Sequence, residues 1–433
     1  MEKFIINGGN ELHGSVEISG AKNAVVAIIP AAILADDISV LENVPDIEDV
    51  RNMFEIIESI GGVVERTGSS TYRVDTRGIN TTLVKKEIAE KLRASYYLMG
   101  ALLGRYRHFK VAMPGGCDLG ARPIDLHIKG FEALDAKVTD DGYYVEAKTD
   151  GLKGGSVYFN TVSVGATINT ILAAVKADGI TIIENAAREP HIIDIANYLN
   201  KCGADIRGAG TNTIKIRGVE HLHGCEHSVI PDQIEAGTYM LACAAAGGDI
   251  IIKNVIPRHL ECITQKLLEC GVYVDEFVDS VRVHTEKRPT KCDIITSPYP
   301  GFPTDVQPQF AVLLTLCDGV STVTESIWSN RFRYADQLMR MGADIKRLSD
   351  NKTAVIKGVE SLHGALVKAD DLRAGAAMII AGLAAEGRTE IEQIFHIDRG
   401  YEHVVEKFRG LGADIVRIDS PDNPQQTVKI YIA

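Results

Sequence analysis

The chain predicts an α/β protein of two domains, built from six βαβ-type repeats whose helices are enclosed by sheets. Three observations predict it. One short tag recurs six times, each repeat carries two helices of opposite character, and one strand-and-turn segment recurs at three places.

The tag stands at Gly61-Gly62-Val63-Val64, Asp135-Ala136-Lys137-Val138, Gly203-Ala204-Asp205-Ile206, Gly271-Val272-Tyr273-Val274, Gly342-Ala343-Asp344-Ile345 and Gly412-Ala413-Asp414-Ile415. Its spacing is roughly 70 residues, too long for a common solenoid unit but right for a βαβ unit with an added hairpin. A glycine or small residue caps a helix and β-branched residues then start a strand, so each tag predicts a helix-to-strand junction. With 433 residues the chain exceeds what one core usually supports, and two domains of about 200 residues follow.

Each repeat's first helix begins near Ala21-Lys22-Asn23, Leu92-Arg93-Ala94, Val164-Gly165-Ala166, Glu235-Ala236-Gly237, Gln307-Pro308-Gln309 or Leu372-Arg373-Ala374. Runs such as Ala24 to Leu34 and Ala376 to Ala384 are apolar nearly all round, which predicts burial inside the domain. The second helices, for example Asp194 to Cys202 and Tyr334 to Met341, are amphipathic and belong outside.

Three segments share a strand, a glycine and a Leu-His-Gly turn: Phe4 to Gly14, Ile214 to Gly224 and Ala354 to Gly364. Their alternation reads as β-hairpins. If like hairpins share a domain, the first belongs with the last half of the chain. The expected domains are therefore residues 22–230, and residues 1–21 together with 231–433, with chain crossings near Gly20 and Pro231 forming a hinge. His13, His223 and His363 read as turn or packing residues rather than ligands.

Composition excludes several classes. A formal net charge of −12 leaves no basic surplus to neutralise a nucleic-acid backbone. The N-terminus lacks a charged-then-apolar signal, and Gly or charge breaks each apolar stretch before membrane-spanning length, so a cytoplasmic protein without membrane insertion is expected. The eight cysteines (117, 202, 225, 243, 262, 270, 292 and 317) form no Cys-x-x-Cys, and neither a zinc site nor another metal is expected.

Chemistry concentrates at helix starts. Lys22, Arg93 and Arg373 open first helices; Arg122, Arg188, Arg258, Arg331 and Arg399 sit at or before second helices. A helix N-terminus presents free N–H groups, and an added cation makes an anion site. A lone arginine there is usually a surface residue, but eight basic groups at equivalent positions of an acidic protein point to phosphate and carboxylate ligands in a cleft where the helix starts face inward. The sharpest motif runs from Pro114 to Leu126, with Gly115, Gly116 and Gly120 marking a mobile loop ahead of a helix that has Pro123 in its first turn. Within it, Cys117 stands near Arg122 and a helix start, a setting that favours the reactive thiolate. A buried cysteine is the bland alternative; flanking glycines favour exposure.

These residues resemble a known family. The set Ser19 to Asn23, Arg93 to Ser95, Pro114 to Leu126, Ser163 to Thr167, Glu184 to Pro190, Phe302 to Asp305, Asn330 to Phe332, Asp371 to Arg373 and His396 to Tyr401 resembles the UDP-N-acetylglucosamine 1-carboxyvinyltransferases, enolpyruvyl transferases of peptidoglycan synthesis. The resemblance spans essentially the whole chain. It implies an inside-out α/β barrel of two domains with three repeats each, an active site in the cleft between them, and closure on ligand. It implies transfer of the enolpyruvyl group of phosphoenolpyruvate to the 3′-hydroxyl of UDP-N-acetylglucosamine. Cys117, Lys22, Asp305 and Arg399 would be catalytic, Cys117 as general acid and site of a covalent adduct, Asp305 as base. Lys22, Asn23, Arg122, Arg331, Arg373 and Arg399 would bind phosphoenolpyruvate. Arg93, Arg122, Pro123, Ile124, Asp125, Leu126, Thr161, Ser163, Val164, Asp305 and Ile327 would bind the nucleotide sugar. No cofactor or metal is implied, since the cations supply the charge stabilisation.

Thr161, Ser329, His191 and Gln233 depart from the family pattern, which suggests a divergent or second-copy member. Three alternatives stand beside this reading: a 5-enolpyruvylshikimate-3-phosphate synthase-like enzyme, which does not use a Cys117 loop, a UDP-sugar-binding regulatory paralogue, and a structural repeat scaffold, which has no need for a Gly-flanked cysteine. The Cys117 reading has a direct test. The epoxide fosfomycin should modify Cys117 and inactivate the protein, and Cys117→Asp should resist. Inactivation that survives the substitution, followed by peptide mass spectrometry, would move the reactive thiol elsewhere.

Overall fold

The computed structural model describes residues 2–113, 124–419 and 429–431. Among these the chain forms two units: residues 20–113 with 124–230, and residues 2–19 with 231 onward. Each unit has its own apolar core.

Both units follow one plan. The first holds helices α1 (Lys22–Ala31), α2 (Glu48–Ser59), α3 (Tyr97–Tyr106), α4 (Asp125–Glu132), α5 (Val164–Ala174) and α6 (Pro190–Lys201). The second holds α7 (Gln233–Ala246), α8 (Pro257–Glu269), α9 (Gln307–Leu316), α10 (Tyr334–Arg340), α11 (Leu372–Ala384) and α12 (Val404–Gly410). Odd-numbered helices are the enclosed ones. In α11 every residue from Leu372 to Leu383 is buried, as an all-apolar surface requires. Even-numbered helices bury one stripe; α8 buries Leu260, Ile263, Thr264 and Leu267, spaced i, i+3, i+4, i+7. Two starts differ from expectation. A 3₁₀ turn, Arg93–Tyr96, precedes α3. Helix α7 begins at Gln233 because the Asp232 carboxylate accepts from the Ile234 and Glu235 N–H groups. Among the described residues no helix is long and apolar enough to cross a membrane.

Six small sheets cover these helices and share one order of four strands, to which Lys429–Tyr431 adds a fifth in one sheet. In the first, Ile38–Glu42 follows α1 and Val63–Arg66 follows α2; Tyr72–Asp75 returns between them, antiparallel to both. The fourth strand, Glu226–Ser228, enters parallel to Ile38–Glu42 from the end of the third repeat. Each sheet thus takes its edge strand from the chain leaving the preceding sheet, and three sheets close a cycle in each unit. The N-terminus closes the second cycle: Glu2–Asn7 completes the sheet of Arg388–Glu392 and Asp414–Asp419, and Leu12–Glu17 lies parallel to Gly248–Lys253 in the next.

This topology corrects the hairpin reading. Glu2–Asn7 and Leu12–Glu17 do not pair with each other, nor do Thr213–Arg217 with Glu226–Ser228 or Thr353–Lys357 with Leu366–Lys368; each pair crosses from one sheet to the next. Alternating polarity cannot tell a hairpin from a crossover, since both strands bury one face. The glycine after the first strand marks the difference: a Cβ on Gly358 would stand 1.6 Å from the Cys317 carbonyl oxygen, because the crossing chain runs against the end of α9. True hairpins lie just after each tag.

The tags are helix ends of one geometry. Gly61, Asp135, Gly203, Gly271, Gly342 and Gly412 all have φ between 68° and 105°. The next residue's N–H reaches back to the helix, as in Ala204 to Leu199 O at 3.0 Å and Ala413 to Phe408 O at 3.1 Å. The crossing chain then donates to the carbonyl just before the tag: Asn80 to Ile60, Lys153 to Leu134, His223 to Cys202, Thr290 to Cys270, His363 to Met341 and His13 to Leu411, at 2.8–3.1 Å. The three Leu-His-Gly histidines therefore act through their backbone.

Two glycine substitutions separate strain from collision. Gly271 has φ 80° and nothing within 4 Å of an added Cβ, so Gly271→Ala should cost about 1–2 kcal/mol from backbone conformation alone. Gly358→Ala meets backbone and should cost at least about 3 kcal/mol. Urea denaturation midpoints of the two variants check the order; equal losses would contradict it.

Candidate active site

In the unit of residues 20–230, Lys22 is the first residue of α1 and its Nζ stands 2.8 Å from Asp49 Oδ2 in the first turn of α2. The Asp49 side chain is only 2% exposed, so its charge depends on that ammonium. Starts of an inner and an outer helix thus meet through one ion pair. Asn23 follows, half-buried. Arg93, in the turn before α3, lies over the Tyr96 ring at 6.0 Å. Ile124 is buried ahead of α4, and Asp125 and Leu126 open that helix. Ser163 caps α5 by accepting from Ala166 N at 3.3 Å; Val164 is its first residue, and Thr161 is exposed just before. Cys117, Arg122 and Pro123 lie outside the described residues.

One residue beyond the expected stretch stands out. His127 is buried, and Asn169 Nδ2 donates to its Nδ1 at 2.8 Å. The amide orientation is set by Gly100 N–H, which donates to Asn169 Oδ1 at 2.9 Å. Nδ1 therefore accepts, and the ring is neutral. Burial first, and the Arg93 charge second, push its pKa down to about 4. Gly165 makes room for the ring, since a Cβ there would sit 2.8 Å from His127 Cε1.

In the unit from residue 231 onward, two buried arginines converge on Asp305. Arg331, 1% exposed, donates from Nη2 to Asp305 Oδ1 at 3.3 Å and to Thr304 O at 2.9 Å. Arg373 Nη2 donates to Asp305 Oδ2 at 3.1 Å. Asp371 caps α11 through the N–H groups of Arg373 and Ala374 and lies 4.0 Å from Arg331 Nη1. Burial disfavours the Arg373 charge, but Asp305, then Tyr401 and Asp232, outweigh it and hold its pKa above the ordinary value. Tyr401 OH donates to Thr238 Oγ1 at 2.9 Å, because the Thr238 hydroxyl hydrogen is committed to Ile234 O, and Tyr401 OH accepts from Arg373 Nη1 at 3.4 Å.

A second buried carboxylate braces this cluster. Glu325 accepts from Thr304 Oγ1 at 3.0 Å on one oxygen, and from Ile327 and Trp328 N–H at 2.9 and 3.1 Å on the other. It ties the Ile327 turn to the segment carrying Asp305. Ser329 is exposed beyond that turn. Arg399 caps the short helix Phe395–Asp398 and is half-buried, as is Arg188 before α6, whereas Arg258 in α8 is exposed. Within this unit, then, Arg331 and Arg373 are brought onto one carboxylate, and Arg258 is left at the surface. His191 is buried in α6 and Gln233 opens α7. Sequence reasoning assigned no role to Asp49, Asp371, Glu325, Tyr401, Asn169 or His127. The cap pattern of Asp371 two residues before Arg373 was a readable signal; the others depend at least in part on contacts distant in the chain.

A family model described as EPSP synthase (3-phosphoshikimate 1-carboxyvinyltransferase) matches residues 6–408. The chain is 56% identical over 418 residues to UDP-N-acetylglucosamine 1-carboxyvinyltransferase 3 of Caldanaerobacter subterraneus subsp. tengcongensis, covering 96% of this chain and 100% of that one. It is 55% identical over 419 residues to the UDP-N-acetylglucosamine 1-carboxyvinyltransferase of Clostridium botulinum, covering 96% and 100%. Among solved structures, the enolpyruvyl transferase NikO of Streptomyces tendae superposes with a TM-score of 0.87 at 27% identity, covering 97% of this chain and 99% of that one. The EPSP synthase of Acinetobacter baumannii shares the fold, with a TM-score of 0.73 at 18% identity, covering 96% and 100%.

His127 makes stability pH-dependent with a definite sign. Its folded pKa, about 4, lies below the ordinary 6.5, so its contribution is complete above 6.5 and shrinks as pH falls toward 4. Between about pH 7.5 and 4.5 the wild type should lose roughly 2–3 kcal/mol from this group. Denaturation curves at the two pH values should show that component missing in His127→Gln; an identical pH dependence would contradict it.

Proposed function

The chain belongs to the UDP-N-acetylglucosamine 1-carboxyvinyltransferases, within the EPSP synthase family, and from that premise we propose that it moves the enolpyruvyl group of phosphoenolpyruvate to the 3′-hydroxyl of UDP-N-acetylglucosamine and releases phosphate. The observation that carries this reading is the 56% identity along 418 residues to an enzyme named for that transfer. The reaction is the first committed step of peptidoglycan synthesis, which places the protein in cell-wall biogenesis, cell shape and division, in the cytoplasm.

Phosphoenolpyruvate brings a phosphate and a carboxylate. Lys22, Arg122 and Arg399 hold these groups, with Asn23 near the reacting carbon and Arg331 and Arg373 adding positive field where charge builds. The sugar 3′ oxygen adds to C2 as Cys117 protonates the methylene carbon, giving a tetrahedral intermediate. Loss of that proton and of phosphate then restores the double bond. Asp305 accepts the proton of the sugar hydroxyl. Its two guanidinium partners support the role, because an arriving dianion competes for Arg331 and Arg373 and releases the carboxylate to act. Lys22 and Asp305 belong to different units, so the proposed reaction draws on residues of both.

Arg93, Arg122, Pro123, Ile124, Asp125, Leu126, Thr161, Ser163, Val164, Asp305 and Ile327 bind the nucleotide sugar. The N-terminus of α5, capped by Ser163, offers free N–H groups suited to a diphosphate. Thr161 brings no charge there, so one contact to the diphosphate is missing and affinity is altered. The family model's own description names the shikimate enzyme, so that substrate is the reading to exclude.

Phosphate release from phosphoenolpyruvate distinguishes them. Turnover is expected with UDP-N-acetylglucosamine and not with shikimate 3-phosphate; the reverse, or binding without turnover, would overturn the proposal. Asp305→Asn should lower kcat by about 10²–10⁴-fold with the fold retained by circular dichroism.

A further inference from the structure

Two pairs of cysteines occupy one repeated place in the fold. The Sγ atoms of Cys202 and Cys225 lie 3.4 Å apart, and those of Cys270 and Cys292 lie 3.1 Å apart. In each pair one cysteine ends an even-numbered helix, one residue before the left-handed glycine. The other stands two residues beyond the N–H that closes that helix end, His223 or Thr290. The same two places in the other four repeats hold Ile60 and Thr82, Leu134 and Gly155, Met341 and Ala365, and Leu411 and Ser15. Cysteine is thus present at both places or at neither, and four of the chain's eight cysteines are spent this way. If these sites wanted only a small apolar side chain, single cysteines would be as acceptable as pairs.

The two pairs differ in access. Cys270 and Cys292 are both buried, whereas Cys225 is half-buried beside the buried Cys202. The Cys202 S–H donates to the Cys225 sulfur, and His227, Lys201 and His223 add positive charge around it, so Cys225 ionises below the ordinary cysteine range. That same bond holds Cys202 protonated, above the range.

We propose that Cys202 and Cys225 form a reversible, peroxide-oxidisable dithiol that staples the end of α6 to the strand Glu226–Ser228. The Cys225 thiolate attacks one oxygen of hydrogen peroxide, breaks the O–O bond and expels hydroxide, becoming a sulfenic acid. The Cys202 sulfur then attacks the Cys225 sulfur, and the hydroxyl leaves with a proton as water. The proton leaving with that hydroxyl is the one from Cys202, and the proton that Cys225 released on ionising neutralises the first hydroxide. Two thiols and one peroxide give one disulfide and two waters. The sulfurs must close from 3.4 Å to about 2.05 Å, within reach of small side-chain rotations.

The test treats the purified full chain with stoichiometric hydrogen peroxide, blocks free thiols under denaturing conditions and maps unreduced tryptic peptides. A linked species joining residues 202–207 to 218–253 is expected, two hydrogens lighter than its parts, with fragment ions placing the bond at Cys225 rather than Cys243. Dithiothreitol should reverse it. The Cys270–Cys292 link between residues 267–282 and 292–331, told from a Cys270–Cys317 link by fragment ions, should form at least tenfold more slowly in the native protein. In Cys202→Ala, Cys225 should stop at the sulfenic acid with one equivalent of peroxide and advance to the sulfinic acid with a second. Recovery of Cys225 as an oxo-acid beside an unmodified Cys202 in the wild type, or equal rates for the two links, would overturn the proposal.

Discussion

Helices that are apolar on every side set the constraint on which the rest of this structure depends. A helix such as α11, buried from Leu372 through Leu383, has no face it can offer to water. One four-stranded sheet cannot wrap it. The solution is cyclic: each sheet takes its edge strand from the chain leaving the sheet before, and three such exchanges enclose three helices. The exchange requires the chain to turn sharply at each outer helix end and run tightly past an inner one. Left-handed helix ends at six places and a glycine lodged against a carbonyl at Gly358 meet those two demands.

The same arrangement explains why the chemistry sits at helix starts. Enclosed helices start at buried or half-buried places, and their free N–H groups have restricted access to water and need other partners. Asp232, Ser163 and Asp371 answer that need as caps. Carboxylates brought into such places then attract cations. Lys22 lies on Asp49, and Arg331 and Arg373 lie on Asp305. Buried guanidinium ions held by a carboxylate, as Arg331 and Arg373 are, are suited to exchange that partner for another anion, because the positive charge is already desolvated and positioned.

Much of this was legible in the sequence, for stated reasons. Helix ends carry local chemistry, so all six tags marked left-handed turns, including Asp135, where glycine is absent. The 3.6-residue period separated enclosed helices from outer ones. Lys22, Arg331 and Arg373 were found because a cation at a helix start is a local pattern. The strand-and-turn segments were misread because a strand's alternation reports which face is buried and not which strand lies beside it. Glu325 and Asn169 escaped notice for a similar reason. Their partners, Thr304, Gly100 and His127, are set by folding and lie far along the chain.

By itself, then, the sequence determined the repeat count, the enclosed helices, the turns that end the outer ones and the family to which the chain belongs. These are properties of short-range periodicity, capping and motif. Only the tertiary structure decided that the recurring segments cross between sheets, that Asp305 lies between two buried guanidiniums, and that cysteines 23 and 22 residues apart come within contact of each other. Such pairings follow from closing three sheets around three helices, a constraint that acts across the whole unit and leaves no mark at any single position.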